Sequence, residues 1–280
     1  MMEFIDFKTL RRSDNMDVLF PDWAQGETVA FFSPHDDDIV LGAGYLLLAT
    51  VENKGRPLVF IFCRGDAGYS TPREKASIVS TRRHEALSAY QELGVEKRNV
   101  FFFGIPDFCL MESVSRTGRS GKFLFERIIK IFRAEKISRV VFPSGHYEHW
   151  DHTAAFFQGI YTSPQAGDPV LADLGAPYAA RTRLVYSVWG DFEPSNAEGQ
   201  LNSAPADKGI LAKEKYEATV RAALGHFVSQ GRIMGKTVAN LRNQRKCETG
   251  YLELYKEAVL RKPIDFGRYF QMLKSCRKIS

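Results

Sequence analysis

The chain has 280 residues, of which 44% are hydrophobic, and its 38 Lys and Arg exceed its 33 Asp and Glu to give a formal charge of +5. These proportions exclude a disordered chain, a collagen-like repeat and a disulfide-dense miniprotein. No apolar run approaches the roughly 18 residues of a membrane span, and residues 1–14 lack the apolar core of a signal peptide. The four cysteines form no Cys-x-x-Cys pair, which favours reduced thiols. We therefore expect a soluble, cytoplasmic protein.

In chain order, short apolar runs alternate with longer amphipathic ones. Strands are predicted at 28–34, 57–63, 99–104 and 139–143, and helices at 39–52, 72–93, 121–136 and from about 151. This order predicts an α/β, Rossmann-like single domain, residues 1–280, with a mostly parallel sheet and helices on both faces.

The later part of the chain is less regular. We predict a long loop at 161–181, one more strand at 184–189 and a helix at 208–226. The remainder is predicted to be helical and basic, since residues 231–280 hold 12 Lys and Arg against 4 Asp and Glu. The basic surplus of the chain therefore lies in a predicted C-terminal extension.

Histidines follow two of the predicted strands. His35 opens a His-Asp-Asp-Asp segment after the first strand, and His146, His149 and His152 follow the fourth. Ligands of open α/β sheets bind just beyond the carboxyl ends of the strands. We therefore expect both segments to meet at one edge of the sheet.

A metal ion would explain why three aspartates stand side by side at 36–38. Adjacent carboxylates repel one another unless a cation or a helix N-terminus lies among them. If they only capped the following helix, it would be a coincidence that a second strand end at the same edge carries His-x-x-His. Two imidazoles and one carboxylate with an open position make up the ligand set of a catalytic zinc, here His35, Asp38 and His152.

The remaining polar groups suit hydrolysis. Asp37 is a candidate general base for water, and His149 is a candidate to stabilise an oxyanion or to protonate a leaving amine. Asp151 is a candidate to accept a hydrogen bond from an imidazole and so fix its tautomer.

Two segments resemble the signatures of the PIG-L/LmbE-like deacetylases. Residues 33–44, Ser-Pro-His-Asp-Asp-Asp-Ile-Val-Leu-Gly-Ala-Gly, resemble His-Pro-Asp-Asp-Glu-x-x-x-Gly, and residues 149–152 resemble His-x-Asp-His. Weaker matches are Arg82-x-x-Glu85, Gly104-Ile-Pro-Asp107 and residues 226–230. The similarity spans about 29–230, which implies a core at about 28–230 and a helical extension at about 231–280.

The resemblance implies a Zn²⁺-dependent hydrolase that removes an acetyl or other acyl group from the nitrogen of an amino sugar or glycoconjugate. It implies one Zn²⁺ per chain, with Fe²⁺ as a substitute ion, on the same three ligands. It gives Asp37, His149 and Asp151 the roles named above, and it makes Arg82 and Asp107 substrate contacts. The implied partner is a small N-acylated amino sugar, with no nucleic acid and no membrane span, and homo-oligomerisation stays open.

Two positions depart from the family pattern. Asp36 replaces the usual proline and Ile39 the usual glutamate, and a third aspartate is expected to raise the pKa of Asp37. His146 and Glu148 could each contact metal or substrate, and this stays open. The favoured interpretation is that both lie on the loop surface.

Three alternatives remain. His35-x-Asp37 with a distant histidine also fits a non-haem Fe²⁺ oxygenase, although those enzymes usually have double-stranded β-helix scaffolds. A catalytically silent sugar-binding protein is disfavoured because every candidate catalytic residue is present. The positive charge motivates a nucleic-acid binder.

Substrate choice is expected to depend on the loops at 64–72, 105–120 and 161–181. Their aromatic and basic residues suggest a surface for stacking a sugar and a contact for an anionic group: Tyr69, Phe108, Arg116, Arg119 and Tyr178.

Overall fold

The structure is a computed structural model that describes residues 2–114, 124–146, 148–190, 192 and 206–276. Within them, ten strands form one sheet in the order β2-β1-β8-β10-β7-β6-β3-β4-β5, with β9 paired to β10. The strands are β1 Glu3–Asp6, β2 Arg11–Ser13, β3 Thr28–Ser33, β4 Arg56–Cys63, β5 Val100–Ile105, β6 Ile137–Pro143, β7 Thr182–Tyr186, β8 Lys208–Ala212, β9 Lys246–Cys247 and β10 Gly250–Glu257.

The sheet has a parallel and an antiparallel half. β7, β6, β3, β4 and β5 pair in parallel, whereas β1, β2, β8, β9 and β10 pair antiparallel and extend the sheet beyond β7. The predicted α/β class is confirmed, and the parallel half consists of the four predicted strands and the later one, which was predicted at 184–189 and is Thr182–Tyr186. The antiparallel half was not predicted.

Helices cover both faces of the sheet, as expected. They are α1 Asp38–Gly42, α2 Gly44–Glu52, α3 Ile78–Glu92, α4 Leu124–Ala134, α5 Trp150–Phe157, α6 Ser163–Gln165, α7 Glu214–Gly225, α8 Val228–Gln244 and α9 Phe266–Ser275. None of these helices is long and apolar enough to cross a membrane.

Alternation along β3 divides the core into two layers. Val29 and Phe31 pack in the cluster that contains the buried faces of α2, α3 and α7. Ala30 and Phe32 face the other way, into the cluster formed with α4 and α5. The strand between them is therefore buried on both faces, which explains its continuous apolar sequence.

The predicted helix at 39–52 is two helices that meet at Ala43. Its neighbour Gly42 lies against the end of β7, where a Cβ atom would come within 2.3 Å of the Tyr186 ring. A residue larger than glycine would push α1 away from the sheet edge. The short helix α1 therefore holds the segment after β3 close to the segment after β7.

Three other predicted elements differ. The helix predicted at 72–93 begins at Ile78 after a 3₁₀ turn, and the loop at 161–181 contains helical turns. The helix predicted at 208–226 is wrong over its first five residues, which form the fully buried strand β8. Three of those residues, Ile210 to Ala212, are apolar and fill the core. Their burial inside the sheet favours a strand over a helix.

The prediction of an entirely helical extension is also wrong. Helices α8 and α9 are present, but β10 lies inside the sheet between β8 and β7. The carboxylate of Glu253 is buried and accepts hydrogen bonds from the first N–H groups of α2, at Tyr45 and Leu46, and from Arg245. These donors offset the cost of burying a charge at a core position of the strand.

Candidate active site

The parallel half of the sheet brings both histidine segments together. β3 and β6 are adjacent and parallel, and the first ends just before His35 and the second before residues 144–149. The loop after β7, at 187–190, lies beside them. His149 caps α5, since its Nδ1 accepts the Asp151 N–H at 3.1 Å. This cap fixes the direction in which α5 presents His152.

Three side chains form a candidate metal site. Oδ2 of Asp38 lies 3.3 Å from Nδ1 of His35 and 3.3 Å from Nε2 of His152. One ligand atom of each residue lies within 4.8 Å of the others. The main-chain N–H of His35 donates to the same Oδ2 at 2.7 Å, which holds the carboxylate in place. The residues predicted to share one ion are thus adjacent.

The charges of this triad suit a cation. Burial alone would lower the pKa of both imidazoles, but carboxylates beside them raise the pKa of His35 to about 10 and that of His152 to about 9. Burial would raise the pKa of Asp38, yet the two imidazoles hold it well below its usual range. The surroundings of the triad therefore favour positive charge at the place where a divalent cation would fit.

A second carboxylate lies at the far nitrogen of each imidazole. Oε2 of Glu148 is 2.6 Å from Nδ1 of His152, and Oδ2 of Asp151 is 3.3 Å from Nε2 of His35. The expectation that Glu148 lies on the loop surface is wrong, because its side chain is fully buried. His146 is half-buried, with its ring against Phe156.

Asp151 contacts more than one histidine. Its carboxylate lies 3.6 Å from Nδ1 of His149, and it accepts hydrogen bonds from the main-chain N–H groups of Phe108 and Leu110 at 2.8 and 3.2 Å. These contacts connect α5 to the loop after β5. The role of Asp151 in orienting a histidine remains a prediction, and its carboxylate is closer to His35 than to His149.

Asp37, the candidate base, lies beside a buried arginine. Burial raises the pKa of Asp37 to about 7, although the Arg82 guanidinium, 3.8 Å away, opposes the shift. Asp36 adds to the shift, as expected of a third aspartate. Its own carboxylate is paired with Arg82, whose Nε lies 3.0 Å from both of its oxygens.

The two predicted substrate contacts line the same cleft but are engaged elsewhere. Arg82 is bound to Asp36, and Asp107 accepts the N–H groups of Gly65 and Ala67 at 2.8 and 2.9 Å. Asp107 therefore holds the loop after β4, against which the Arg82 side chain packs at Gly65 and Gly68. Contact with substrate stays a prediction for both.

The cleft has a volume of about 330 Å³. Phe108 is 61% exposed at its mouth, and its ring centroid lies 4.8 Å from that of His149. Trp189 and Met234 also line it and were not predicted, although Trp189 lies in the loop that follows β7. Tyr69 and Tyr178 are not among its lining residues, and Arg116 and Arg119 lie outside the described residues.

Comparison with known proteins agrees with this geometry. The sequence model of the PIG-L family, described as GlcNAc-PI de-N-acetylase, matches residues 30–160, which include both histidine segments. The resemblance to the PIG-L/LmbE-like family is confirmed. No curated protein matches the sequence.

Solved structures of the same fold include several deacetylases. An N,N′-diacetylchitobiose deacetylase from Pyrococcus horikoshii matches 88% of this chain and 87% of its own, at 19% identity and a TM-score of 0.67. A deacetylase of teicoplanin biosynthesis matches 83% of this chain and 98% of its own, at 19% identity and a TM-score of 0.55. A 4-carboxy-2-hydroxymuconate hydratase from Pseudomonas putida matches 85% of this chain and 99% of its own, at 18% identity and a TM-score of 0.58. At these identities, the likeness establishes the fold.

Proposed function

We propose that this protein is a Zn²⁺-dependent hydrolase that removes an acetyl or other acyl group from the nitrogen of an amino sugar or glycoconjugate. The proposal depends chiefly on one arrangement: the triad of His35, Asp38 and His152 shares an open cleft with the candidate base Asp37 and with His149. The PIG-L match supports the reaction class. The hydratase among the structural neighbours means that the fold alone does not decide the reaction.

The donor set of the triad fits zinc. Two imidazoles and one carboxylate are typical of catalytic zinc sites, and the carboxylates behind each imidazole are typical of the surroundings of such ligands. Zn²⁺ held there would supply a Lewis acid that polarises the amide carbonyl and makes water acidic enough to lose a proton near neutral pH. The α/β fold disfavours the iron oxygenase alternative.

Asp37 accepts the proton of the attacking water in this proposal. Its carboxylate lines the cleft with the triad, and burial raises its pKa in the metal-free protein, so it is a stronger base than an exposed aspartate. After the carbonyl carbon has been attacked, the same proton passes from Asp37 to the leaving nitrogen. The C–N bond then breaks, giving a carboxylic acid and a free amine.

His149 is arranged to donate a hydrogen bond. Burial lowers the pKa of His149, which favours a neutral imidazole. Because Nδ1 accepts the Asp151 N–H, the proton of the neutral ring is on Nε2. That N–H can stabilise the oxyanion that develops on the carbonyl oxygen.

Aromatic side chains at the mouth of the cleft suit a sugar. The apolar C–H face of a pyranose packs well on an exposed aromatic ring, which Phe108 offers, and the half-buried Trp189 also lines the cleft. The open cleft also leaves room for a group attached to the sugar, as a glycoconjugate would require.

Metal analysis combined with an assay of amine release from N-acetylglucosamine derivatives tests the proposal. We expect one zinc per chain, loss of both zinc and activity in His152→Ala, and zinc retention with at least a hundredfold lower kcat/KM in Asp37→Asn. His84→Ala, which changes an exposed histidine on α3, is the matched control and should behave like the wild type. A metal-free active protein, or activity that survives His152→Ala, would overturn it. Iron-dependent oxygen consumption would indicate an oxygenase instead.

A further inference from the structure

We infer that Glu148 is a positioning residue that fixes His152 as a metal ligand and joins it to the wall of the cleft. This inference rests on the proposed metal-dependent function and adds a residue that neither of the two signature motifs contains. Glu148 acts through His152 and through the loop after β7.

The two oxygens of Glu148 have separate partners. Oε2 lies 2.6 Å from Nδ1 of His152. Oε1 accepts the main-chain N–H groups of Val188, Trp189 and Gly190 at 2.8, 2.8 and 3.1 Å, and the Ser187 hydroxyl at 2.7 Å. The side chain is fully buried, so these groups replace the water that would otherwise surround its charge.

This arrangement requires a hydrogen-bond acceptor at both terminal positions of the Glu148 side chain, Oε1 and Oε2. Nε2 of His152 faces Asp38 and can ligate an ion only when it carries no proton, so Nδ1 must then carry one. The Nδ1–H needs an acceptor, which Oε2 supplies. At the other end, main-chain N–H groups and a hydroxyl all donate to Oε1. A carboxylate satisfies both ends.

An amide of the same shape cannot satisfy both ends. In Glu148→Gln, the single amide oxygen would face the main-chain N–H groups, so that the NH₂ group points at His152. That group favours the imidazole tautomer with an unprotonated Nδ1 and a protonated Nε2, which cannot ligate the ion. Turning the amide over would instead set its NH₂ against three N–H donors. Either orientation weakens metal binding while the shape of the core is kept.

The loop held by Glu148 also lines the cleft. Trp189 belongs to both the set of donors to Oε1 and the lining of the cleft. A change at Glu148 is therefore expected to affect substrate binding as well as the ligand. A residue that only stabilised the fold would not be expected to affect both the metal ligand and the cleft.

The test measures Zn²⁺ affinity directly, by competition with a chromogenic chelator, in the full chain. We expect the Kd for Zn²⁺ to rise 10- to 100-fold in Glu148→Gln. The matched control is Glu27→Gln, because Glu27 is a buried carboxylate at the start of β3, the opposite end from His35, where it binds Ser138 and Arg139. It should lose stability without a change in Zn²⁺ affinity.

A Glu148→Gln variant that binds Zn²⁺ within threefold of the wild type would overturn the inference and leave the proposed function intact. A wild type that binds no zinc would overturn both. Should the variant fail to fold, nitrogen-15 NMR of the zinc-loaded wild type decides. A protonated Nδ1 of His152 that exchanges slowly with solvent supports the role of Glu148, and an unprotonated Nδ1 contradicts it.

Discussion

Arg82 and Asp36 form a buried ion pair beside the candidate base: Nε of the guanidinium lies 3.0 Å from both carboxylate oxygens, and Nη2 bonds one of them. Both side chains are almost wholly removed from solvent. Asp36 stands where the family pattern has proline, and its charge is neutralised within the core. The pair also lies against the loop after β4, where Cβ atoms on Gly65 and Gly68 would collide with the Arg82 side chain.

Removing Arg82 should strongly destabilise the protein. In Arg82→Ala, the buried Asp36 carboxylate loses its partner, and we expect the free energy of unfolding to fall by about 3–5 kcal/mol in urea titrations. Asp36→Asn combined with Arg82→Gln should recover part of that loss, because no unpaired charge is left. Arg98→Ala, at an exposed pair with Glu96, is the control and should change stability little. A loss below about 1 kcal/mol in Arg82→Ala would contradict the structure.

The metal-free protein should become less stable as the pH rises. The raised pKa values of His35, about 10, and of His152, about 9, mean that their protonated forms stabilise the fold. That stabilisation is complete below about pH 6.5, the ordinary value for histidine, and is lost as the pH rises through 9 to 10. We expect the free energy of unfolding to fall over this range, because each unit of pKa difference between the folded and unfolded states is worth on the order of 1.4 kcal/mol. Urea titrations at pH 6.5 and 9.5 measure this loss.

The same protons must leave when an ion binds. We expect zinc binding at pH 7 to release about two protons per ion, because both imidazoles become neutral ligands. Calorimetry in two buffers of different ionisation enthalpy gives this number. Release of no protons would show that the ion binds elsewhere.

Phe108 should contribute to substrate binding at some cost in stability. Its φ of 66° lies in the left-handed region, which costs a residue with a side chain roughly 1 kcal/mol. Phe108→Ala and Phe108→Gly both remove the ring beside His149, and we expect each to raise KM about tenfold with a smaller change in kcat. Only glycine relieves the backbone, so Phe108→Gly should unfold at a higher urea concentration than Phe108→Ala. Unchanged KM values in both variants would exclude a substrate contact for the ring.

The two parts of the C-terminal extension should behave differently on truncation. Residues 261–276, including α9, are exposed throughout, whereas β10 lies inside the sheet. A chain ending at 263 should therefore keep its unfolding midpoint within a few degrees. A chain ending at 245 should fail to fold, because β7 and β8 lose the strand between them and α2 loses the buried carboxylate of Glu253. Thermal unfolding followed by circular dichroism distinguishes the two.

The parallel half of the sheet could be predicted closely from the sequence. The predicted strand at 28–34 is Thr28–Ser33, and the one at 57–63 is Arg56–Cys63. These strands are buried on both faces, so their sequences are continuous apolar runs that end at polar residues. β10 could not be predicted in this way, since Glu253 occupies a core position that local patterning assigns to solvent. Only its distant partners, Arg245 and the start of α2, make its burial favourable.

By itself, the sequence determined the α/β class and the meeting of both histidine segments at one sheet edge, because strand order and direction follow from the alternation of short apolar runs and helices. It also indicated His35, Asp38 and His152 as neighbours, which the structure confirms. Only the tertiary structure decided which distant groups contact the side chains of the site. Arg82 is 46 residues from Asp36 along the chain, and Glu148 binds a loop some 40 residues away. Their partners are set by packing between separate elements, and local sequence patterns carry no information about such packing.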